Sequence, residues 1–424
     1  MVWTDNGLDE RGMPMRVRTL AVILALPGML TWGQSALAEP YYLDFFPAAP
    51  FIDTVDVYAY SAVEMDVILA ELEALYAPFP DIAFTLTEPT LPHSPVRFNT
   101  TAIGTSTGVD FRNVASIDVA SVNALKGLSF AGIGSPTPAE VVKASVNLAA
   151  HEVGHLEGLR HHDAFTPIGF GMSSPGLAAD YTPIYPGPTG AFLSGTDVQS
   201  LTLSFGGFTA AALTGDLLVG QRSAVKLAMN GDMNFFTESA LSGPHSTFAT
   251  AAPLPMKTIV VPNVTLPGDP WFGLDIFADV IAVAGDIETD TITGAPESDY
   301  YKFSAPVGGI AQIEVLSEVI ESRLTETDVV VAVFDEADLG TPIYYGDVLN
   351  EDEKETTDAL ILDLLIPGAG TYIVEVFTEA GPSALGDYEL FVSVVWGVPP
   401  IPAPAGVGLG LLGLGALGAR RRRR

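Results

Sequence analysis

Four of the six histidines in this chain of 424 residues lie within one short stretch, HEVGHLEGLRHHD, at 151–163. If the stretch begins on an α-helix, His151 and His155 project from one face, because residues four apart are separated by only about 40° around the axis. Two imidazoles placed in this way can bind one metal ion. Glu152 lies on the adjacent face, where its carboxylate can reach water at the metal without readily becoming a ligand.

The residues that follow can complete this site. Gly158 is typical of a helix C-terminus, so the chain can turn back there and bring His161 to the same ion. Three neutral imidazoles and an open fourth position are typical of a catalytic zinc site rather than of a closed structural one. The pattern H-E-x-x-H-x-x-G-x-x-H therefore predicts Zn²⁺ as the cofactor, with His151, His155 and His161 as its ligands.

Glu152 is the predicted catalytic residue. Zn²⁺ lowers the pKa of bound water to about 7 and stabilises an oxyanion. We expect Glu152 to take a proton from that water as general base and to deliver it to the leaving amine. The predicted function is a secreted zinc-dependent metalloendopeptidase with a protein or peptide substrate. Two alternatives stay open: a non-catalytic surface or biofilm-matrix binding protein on the same scaffold, and a zinc hydrolase of a non-peptide substrate.

A long helix is needed to hold the histidines. Thr137 and Pro138 are typical of a helix start, and with Glu140 in the first turn they predict a helix that runs to Gly158. Another helix is predicted over 63–79, and strands are predicted over 55–60, 82–87, 115–122 and 127–133. In the second half, short β-type runs separated by Gly, Pro and Asp predict an antiparallel sandwich, at 300–306, 311–316, 328–335, 359–366, 371–377 and 388–395.

The histidine motif resembles that of the metzincin zinc metalloproteases, which share the long consensus and a methionine turn beneath the metal. Met172 in GFGMSS matches that methionine. GLSFAGI at 127–133 resembles the edge strand along which matrixin substrates lie, and residues 193–206 resemble the matrixin closing helix. The resemblance implies a fold class of α+β type over residues 39–207, a metzincin-like catalytic domain with a twisted mixed sheet and a long active-site helix.

The residues after the third ligand depart from the family pattern. His162 stands where the subfamily is often marked, so the branch is not assigned. We predict His162 to be a solvated loop residue, with ligation in place of His161 as the alternative, and Asp163 to be a partner of a ligating imidazole. His93 and His245 stand alone in the sequence and are predicted to be surface loop residues.

Residues 246–396 resemble the bacterial pre-peptidase C-terminal domain, an accessory all-β sandwich of secreted peptidases, in pieces such as STFATAAPL and ESDYYKFSAPVGG. Residues 208–245 are then a linker or extension, and we expect residues 39–240 to retain peptidase activity alone. The acidic stretch at 286–299 is a candidate Ca²⁺ site, with a solvated acidic loop as the alternative.

Both ends have the composition of targeting segments. Residues 1–38 contain a basic start at 15–18, an apolar run and an A-x-A site, which predicts a secretory signal peptide cut after Ala38, with 1–14 as a doubtful extension. A membrane-spanning helix is the alternative. Residues 397–424 resemble C-terminal sorting tails of the PEP-CTERM type, in the variant with a V-P-x-P-A motif, with a disordered basic tail as the alternative. This resemblance implies a Gram-negative bacterium, an exosortase-like processing enzyme, transient membrane contact through the tail, and a secreted or cell-surface location.

The net charge and the absence of cysteine exclude some classes of binding partner and of metal or catalytic site. The formal net charge of −32 repels the phosphate backbone, so no nucleic-acid partner is expected. The chain contains no cysteine, which excludes disulfides, thiolate metal ligands and a cysteine nucleophile. Any metal must therefore be bound by histidine, carboxylate or backbone oxygen.

Overall fold

The computed structural model describes residues 40–48, 51–90, 92–105, 119–171, 190–193, 195–200, 203, 207–232, 235–242, 245–262, 276–288, 296–316, 329–346, 359–378 and 385–396. All of them belong to one unit, Ala38–Arg424, whereas the other unit, Met1–Leu37, lies outside the described residues. Met172 and the predicted sorting tail at 397–424 also lie outside them. The described part is mixed α/β, with several sheets and a β-rich C-terminal region. None of its helices is long and apolar enough to cross a membrane.

The N-terminal half is built around a mixed sheet. Its described elements are β1 (Tyr41–Asp44), α1 (Ala62–Tyr76), β2 (Phe84–Thr85), β3 (Ser94–Phe98), β4 (Gly104–Thr105), β5 (Ala120–Val122), α2 (Ala124–Phe130), α3 (Pro138–Leu156), a 3₁₀ turn (His161–Ala164), β6 (Phe165–Thr166), β7 (Phe192–Leu193), α4 (Ala210–Thr214) and α5 (Gln221–Asp232). The sheet has the order β2-β1-β3-β5-β4, in which only β4, at one edge, pairs antiparallel to its neighbour. Helix α3 contacts strands β3, β4 and β5 of this sheet.

Both long helices begin with a capping box. Ser61 and Thr137 each accept a hydrogen bond from the backbone N–H three residues on, at Glu64 and Glu140. The glutamate carboxylates accept from the cap N–H groups in return. Pro138 occupies the first turn of α3, where its missing N–H has no intrahelical partner to lose. The helix start predicted from the sequence is therefore confirmed.

Two predicted strands are wrong. Residues 55–60 form bends and irregular backbone, and the run at 127–133 lies mostly in α2. Asn123 caps α2 by accepting the backbone N–H of Lys126 at 3.0 Å, and Leu128 is fully buried. A short apolar run does not by itself distinguish a strand from a helix, and here the cap and the packing decide it.

The closing helix predicted at 193–206 is also not seen in the described part of that segment. Residues 195–200 form turns, and Asp197 makes a single β-bridge to Leu218. The next α-helices in the described part of the chain are α4 and α5. Both fall in 208–245, the segment predicted as a linker or extension, and the described side chains of α5 are mostly buried.

The C-terminal half is a pair of sheets. Its elements are β8 (Phe235–Thr237), 3₁₀ turns (Glu238–Ala240, Phe248–Thr250), β9 (Ala252–Pro253), β10 (Lys257–Val261), β11 (Ile276–Ile287), β12 (Asp299–Ala305), β13 (Ile310–Leu316), β14 (Val329–Asp335), β15 (Tyr344–Gly346), β16 (Ala359–Leu365), β17 (Gly370–Thr378) and β18 (Gly386–Trp396). One sheet has the order β10-β11-β18-β13-β16, with β8 added beside β11, and the other has the order β15-β14-β17-β12-β9. The six β-type runs predicted between 300 and 395 are confirmed as strands.

These two sheets share one apolar core. Ile281, Ile313 and Val392 of the first sheet belong to the same buried cluster as Val331 and Val374 of the second. Pairing within each sheet is mostly antiparallel, and side chains from both sheets fill the space between them. The arrangement is compatible with the predicted β-sandwich.

Helix α5 and strand β8 join the two halves. Helix α5 packs against β10 and β11, and β8 pairs parallel to the middle of β11. A larger apolar cluster includes Leu148 of α3 and Ala282 of β11. The N-terminal half, which carries the histidine motif, and the C-terminal half, called the β-rich half below, therefore share buried surface.

Candidate metal centre

Helix α3 places His151 and His155 in its last two turns, as the sequence predicts. The helix ends at Leu156, and Gly158 adopts a φ of +81°, a conformation that glycine reaches without strain. The N–H of Leu159 bonds to the carbonyl of Gly154 at 2.9 Å and closes the helix end. The chain then reverses into the 3₁₀ turn that begins with His161.

Backbone carbonyls orient two of the three imidazoles. The Nδ1 atom of His151 lies 2.8 Å from the carbonyl oxygen of Val198, and that of His155 lies 2.9 Å from the carbonyl oxygen of Leu159. Because a carbonyl oxygen only accepts, each Nδ1 carries the proton, and each neutral ring presents a lone pair at Nε2. The rings are thus held in the tautomer that a metal requires.

The three histidines converge through these Nε2 atoms. His151 Nε2 lies 3.2 Å from His155 Nε2 and 3.3 Å from His161 Nε2. Two Zn–N bonds of about 2.0–2.1 Å at a tetrahedral angle separate their nitrogens by about 3.3 Å. Lone pairs brought this close repel one another unless a proton or a cation lies between them. The donor set and its spacing therefore fit Zn²⁺.

Glu152 is buried beside the ligands, with 4% of its surface exposed. Burial raises the pKa of its carboxyl group from the usual range to about 8. A cation bound by the neighbouring histidines would lower this pKa again. Burial by itself thus makes the Glu152 carboxylate a stronger base than a solvated glutamate, which is the direction that a general base requires.

The turn at 195–200 supports helix α3 through hydrogen bonds to His151. Gln199 donates its side-chain N–H to the carbonyl of His151 at 2.9 Å, and Asp197 accepts the N–H of Gln199 at 2.7 Å. Burial raises the pKa of Asp197 to about 7. No spacing pattern in the sequence predicts these contacts with His151. The Val198 carbonyl is a backbone group that any residue at this position would supply.

The prediction of His162 as a solvated loop residue is wrong. His162 is 6% exposed, and its Nε2 lies 3.5 Å from Glu314 on strand β13. Lys226 of α5 joins the same buried group, with its Nζ 2.6 Å from Glu314 and 2.7 Å from Asp163. Asp163 also accepts the backbone N–H of Arg160 at 2.8 Å. The loop that carries His161 is therefore attached to the β-rich half by buried charges.

A second buried ion pair contacts the residues that follow this loop. Arg222 of α5 donates to Asp363 at 2.6 Å, to Gln312 at 3.2 Å and to the carbonyl of Phe165 at 2.7 Å. Asp363 also accepts the N–H of Gly171 at 2.6 Å. Asp363 has a φ of +54° and lies where the pairing of β13 and β16 is shifted. This irregularity directs its carboxylate towards the metal-site loops rather than along the strand.

Comparison with known proteins leaves the family open. No protein-family model and no curated protein matches the chain. The pre-peptidase C-terminal domain of a collagenase from Bacillus anthracis matches at 19% identity and a TM-score of 0.19, over 26% of this chain and 86% of that one. PliG from Aeromonas hydrophila, a periplasmic inhibitor of g-type lysozyme, matches at 16% identity and a TM-score of 0.17, over 27% of this chain and 85% of that one. At these TM-scores the likenesses establish neither the family nor the activity of the chain.

Proposed function

We propose that the chain is a secreted zinc metalloendopeptidase of the metzincin type. The observation that carries the proposal is the convergence of His151, His155 and His161 at Nε2 separations of 3.2 and 3.3 Å, beside the buried carboxylate of Glu152. Among the described residues this donor cluster comprises three side chains, the number typical of catalytic zinc sites. Met172 is proposed as the methionine of the turn beneath the metal.

The metal ion, the histidines and Glu152 would each have a separate role in hydrolysis. Zn²⁺, when bound, supplies Lewis-acid chemistry, because it polarises a carbonyl group and makes water more acidic. His151 and His155 present Nε2 atoms that are pre-oriented by the carbonyls of Val198 and Leu159. Glu152 accepts the proton of the attacking water and delivers it to the leaving amine.

The proposed substrate is an extended protein or peptide chain. The run at 127–133 does not form the expected edge strand, because it lies mostly in helix α2. Strand β4 lies at the edge of the described sheet, runs antiparallel to β5 and contacts the ligand-bearing helix α3. We therefore assign the substrate-pairing edge to β4. The β-rich half is proposed as a pre-peptidase C-terminal module that contacts substrate or surface.

Cleavage of unfolded casein by the full-length protein, with and without a chelator, tests the proposal. We expect the protein to cleave casein, a chelator to abolish the cleavage, and added Zn²⁺ to restore it. Histidine ligands bind a metal reversibly, so the ion can be removed and returned. Zinc binding without cleavage of casein or of a mixed peptide library would favour the binding-protein alternative. Chelator-sensitive hydrolysis of ester or amide substrates alone would favour the non-peptide hydrolase.

The proposed location follows from the two ends of the chain. A signal peptide cut after Ala38 and a tail processed near 398–405 by an exosortase-like enzyme would place the protein outside a Gram-negative cell or on its surface. Intact-mass measurement on protein from the native host should give a C-terminus in that range. A soluble product that still ends at Arg424 would contradict the sorting proposal.

A further inference from the structure

A second cluster of metal-binding side chains lies in the β-rich half. Glu238 directly follows β8, His245 lies in the segment before β9, and Asp299 begins β12. One donor atom from each residue lies within 4.8 Å of the other two. The prediction of His245 as an isolated surface residue is therefore wrong, since its side chain is largely covered and faces two carboxylates.

The imidazole nitrogen and two carboxylate oxygens converge at this cluster. The Nε2 atom of His245 contacts Oε1 of Glu238 and lies 3.5 Å from Oδ1 of Asp299. Asp299 is fully buried, and its Oδ1 has no hydrogen-bond partner. Its other oxygen accepts from Tyr388 at 2.8 Å, and the Tyr388 hydroxyl in turn contacts that of Tyr301 at 2.5 Å. A buried carboxylate held at one oxygen, with the other directed towards His245, has the arrangement of a metal ligand supported from behind.

The backbone around Glu238 is shaped to admit its carboxylate. The N–H of Asp286 donates to Oε2 of Glu238 at 3.0 Å. A Cβ at the neighbouring Gly285 would lie 2.6 Å from that same oxygen and 2.5 Å from the Tyr388 ring. Only glycine therefore leaves room for the carboxylate of Glu238 and the ring of Tyr388 to meet there.

The charge around the cluster is strongly negative. Glu238 and Asp299 each direct a carboxylate oxygen towards His245, which places two acidic groups against one imidazole. Asp286, whose N–H bonds to Glu238, and Glu297, two residues before Asp299, bring further acidic residues to this part of the chain. A single imidazolium can offset one of these charges, whereas a divalent cation would offset two.

We propose that Glu238, His245 and Asp299 bind a second divalent metal ion, of the zinc class, in the β-rich half. An imidazole ligand favours first-row transition ions, whereas Ca²⁺ selects sets of six to eight oxygens. The candidate Ca²⁺ stretch at 286–299 thus contributes Asp299 to a mixed nitrogen and oxygen site. This ion would tie the segment after β8 to the start of β12. The proposal does not depend on the peptidase function, because no ligand is shared with the histidine cluster on α3.

Counting bound ions tests this site. Full-length protein is freed of metal with a chelator, dialysed against Co²⁺ or Zn²⁺, and analysed for metal per chain. We expect about two ions in the wild type, about one in His245→Ala and about one in His151→Ala, because each variant loses one of two separate sites. Glu238→Gln should lower the affinity for the second ion by at least about 100-fold. Because this substitution keeps the size of the side chain, it tests the site even if His245→Ala fails to fold.

Glu297→Gln is the matched control, because it removes one carboxylate from the same acidic group without removing a proposed ligand. It should keep both ions. Equal metal content in the wild type, His245→Ala and Glu238→Gln would overturn the second site, whatever His151→Ala shows. Displacement of Co²⁺ from this site by equimolar Ca²⁺ would also overturn the proposal, because the imidazole would not then be a ligand.

Discussion

At the scale of single residues, Glu152 and His155 are adjacent in the motif but have separable roles. Glu152→Gln keeps the shape of the side chain and removes the base, so turnover should fall by roughly 10²–10⁴-fold while the metal content stays that of the wild type. His155→Ala removes a ligand whose Nε2 lies 3.2 Å from that of His151, so one ion and the activity should be lost together. Metal analysis of both purified variants, beside a peptide-cleavage assay, measures the difference.

Either of two results would contradict these assignments. If Glu152→Gln loses zinc as completely as His155→Ala, Glu152 is a ligand and not the base. If Glu152→Gln keeps full activity, proton transfer does not pass through this carboxylate. His93→Ala removes a histidine that belongs to neither cluster, so it controls for the loss of an imidazole elsewhere and should change neither metal content nor activity.

At the scale of elements, the contact of α5 with β13 depends on a buried ion pair. Glu314 is 1% exposed and lies 2.6 Å from Lys226, which is equally buried. Glu314→Gln leaves that ammonium group without one of its two compensating carboxylates, so the free energy of unfolding should fall by about 3–5 kcal/mol. Glu71→Gln breaks the more exposed pair with Lys143 and should cost about 0–1 kcal/mol. Urea unfolding of the three proteins measures both values, and similar losses in the two variants would refute the distinction.

The same pair predicts a pH dependence of stability. Burial by itself would raise the pKa of Glu314, but Lys226, His162 and Arg160 outweigh it and lower the pKa to about 2. A carboxylate with a lowered pKa in the folded state stabilises the fold above its ordinary value of 4.5 and loses this contribution as the pH falls towards 2. The difference in unfolding free energy between the wild type and Glu314→Gln should therefore shrink across this range. Urea unfolding at several pH values, with chelator present throughout, measures it, and a constant difference would contradict the pairing.

At the scale of the whole molecule, the buried contacts reverse one expectation from the sequence. A chain of residues 39–240 would keep Lys226 and Arg222 but lose their partners Glu314 and Asp363. Among the described residues, Arg222 would then have no carboxylate partner and Lys226 would keep Asp163. An uncompensated buried charge costs several kcal/mol, against a total stability of about 5–15 kcal/mol for a typical domain. We therefore expect this fragment to be unfolded or aggregated and to lack cleavage activity. Circular dichroism and the casein assay test this, and a soluble, active fragment would show that the β-rich half is detachable.

The sequence by itself determined the local part of the site. The i, i+4 spacing of His151 and His155, the Thr137–Glu140 capping box and the stop at Gly158 are relations between residues a few positions apart. Local geometry settles such relations before any tertiary contact forms. The six β-type runs after residue 300 were predictable for the same reason, because their composition and turn residues are local properties.

Only the tertiary structure decided which distant groups meet. Asp163 and Glu314 share Lys226, and Glu238 reaches Asp299, although neither pair leaves any spacing pattern in the sequence. The residue type alone does not show whether a histidine is buried or solvated, so the sequence could not predict the environments of His162 and His245. Such charges become buried only when strands and helices far apart in the chain pack together. Their environment is thus a property of the assembled core and not of the local chain.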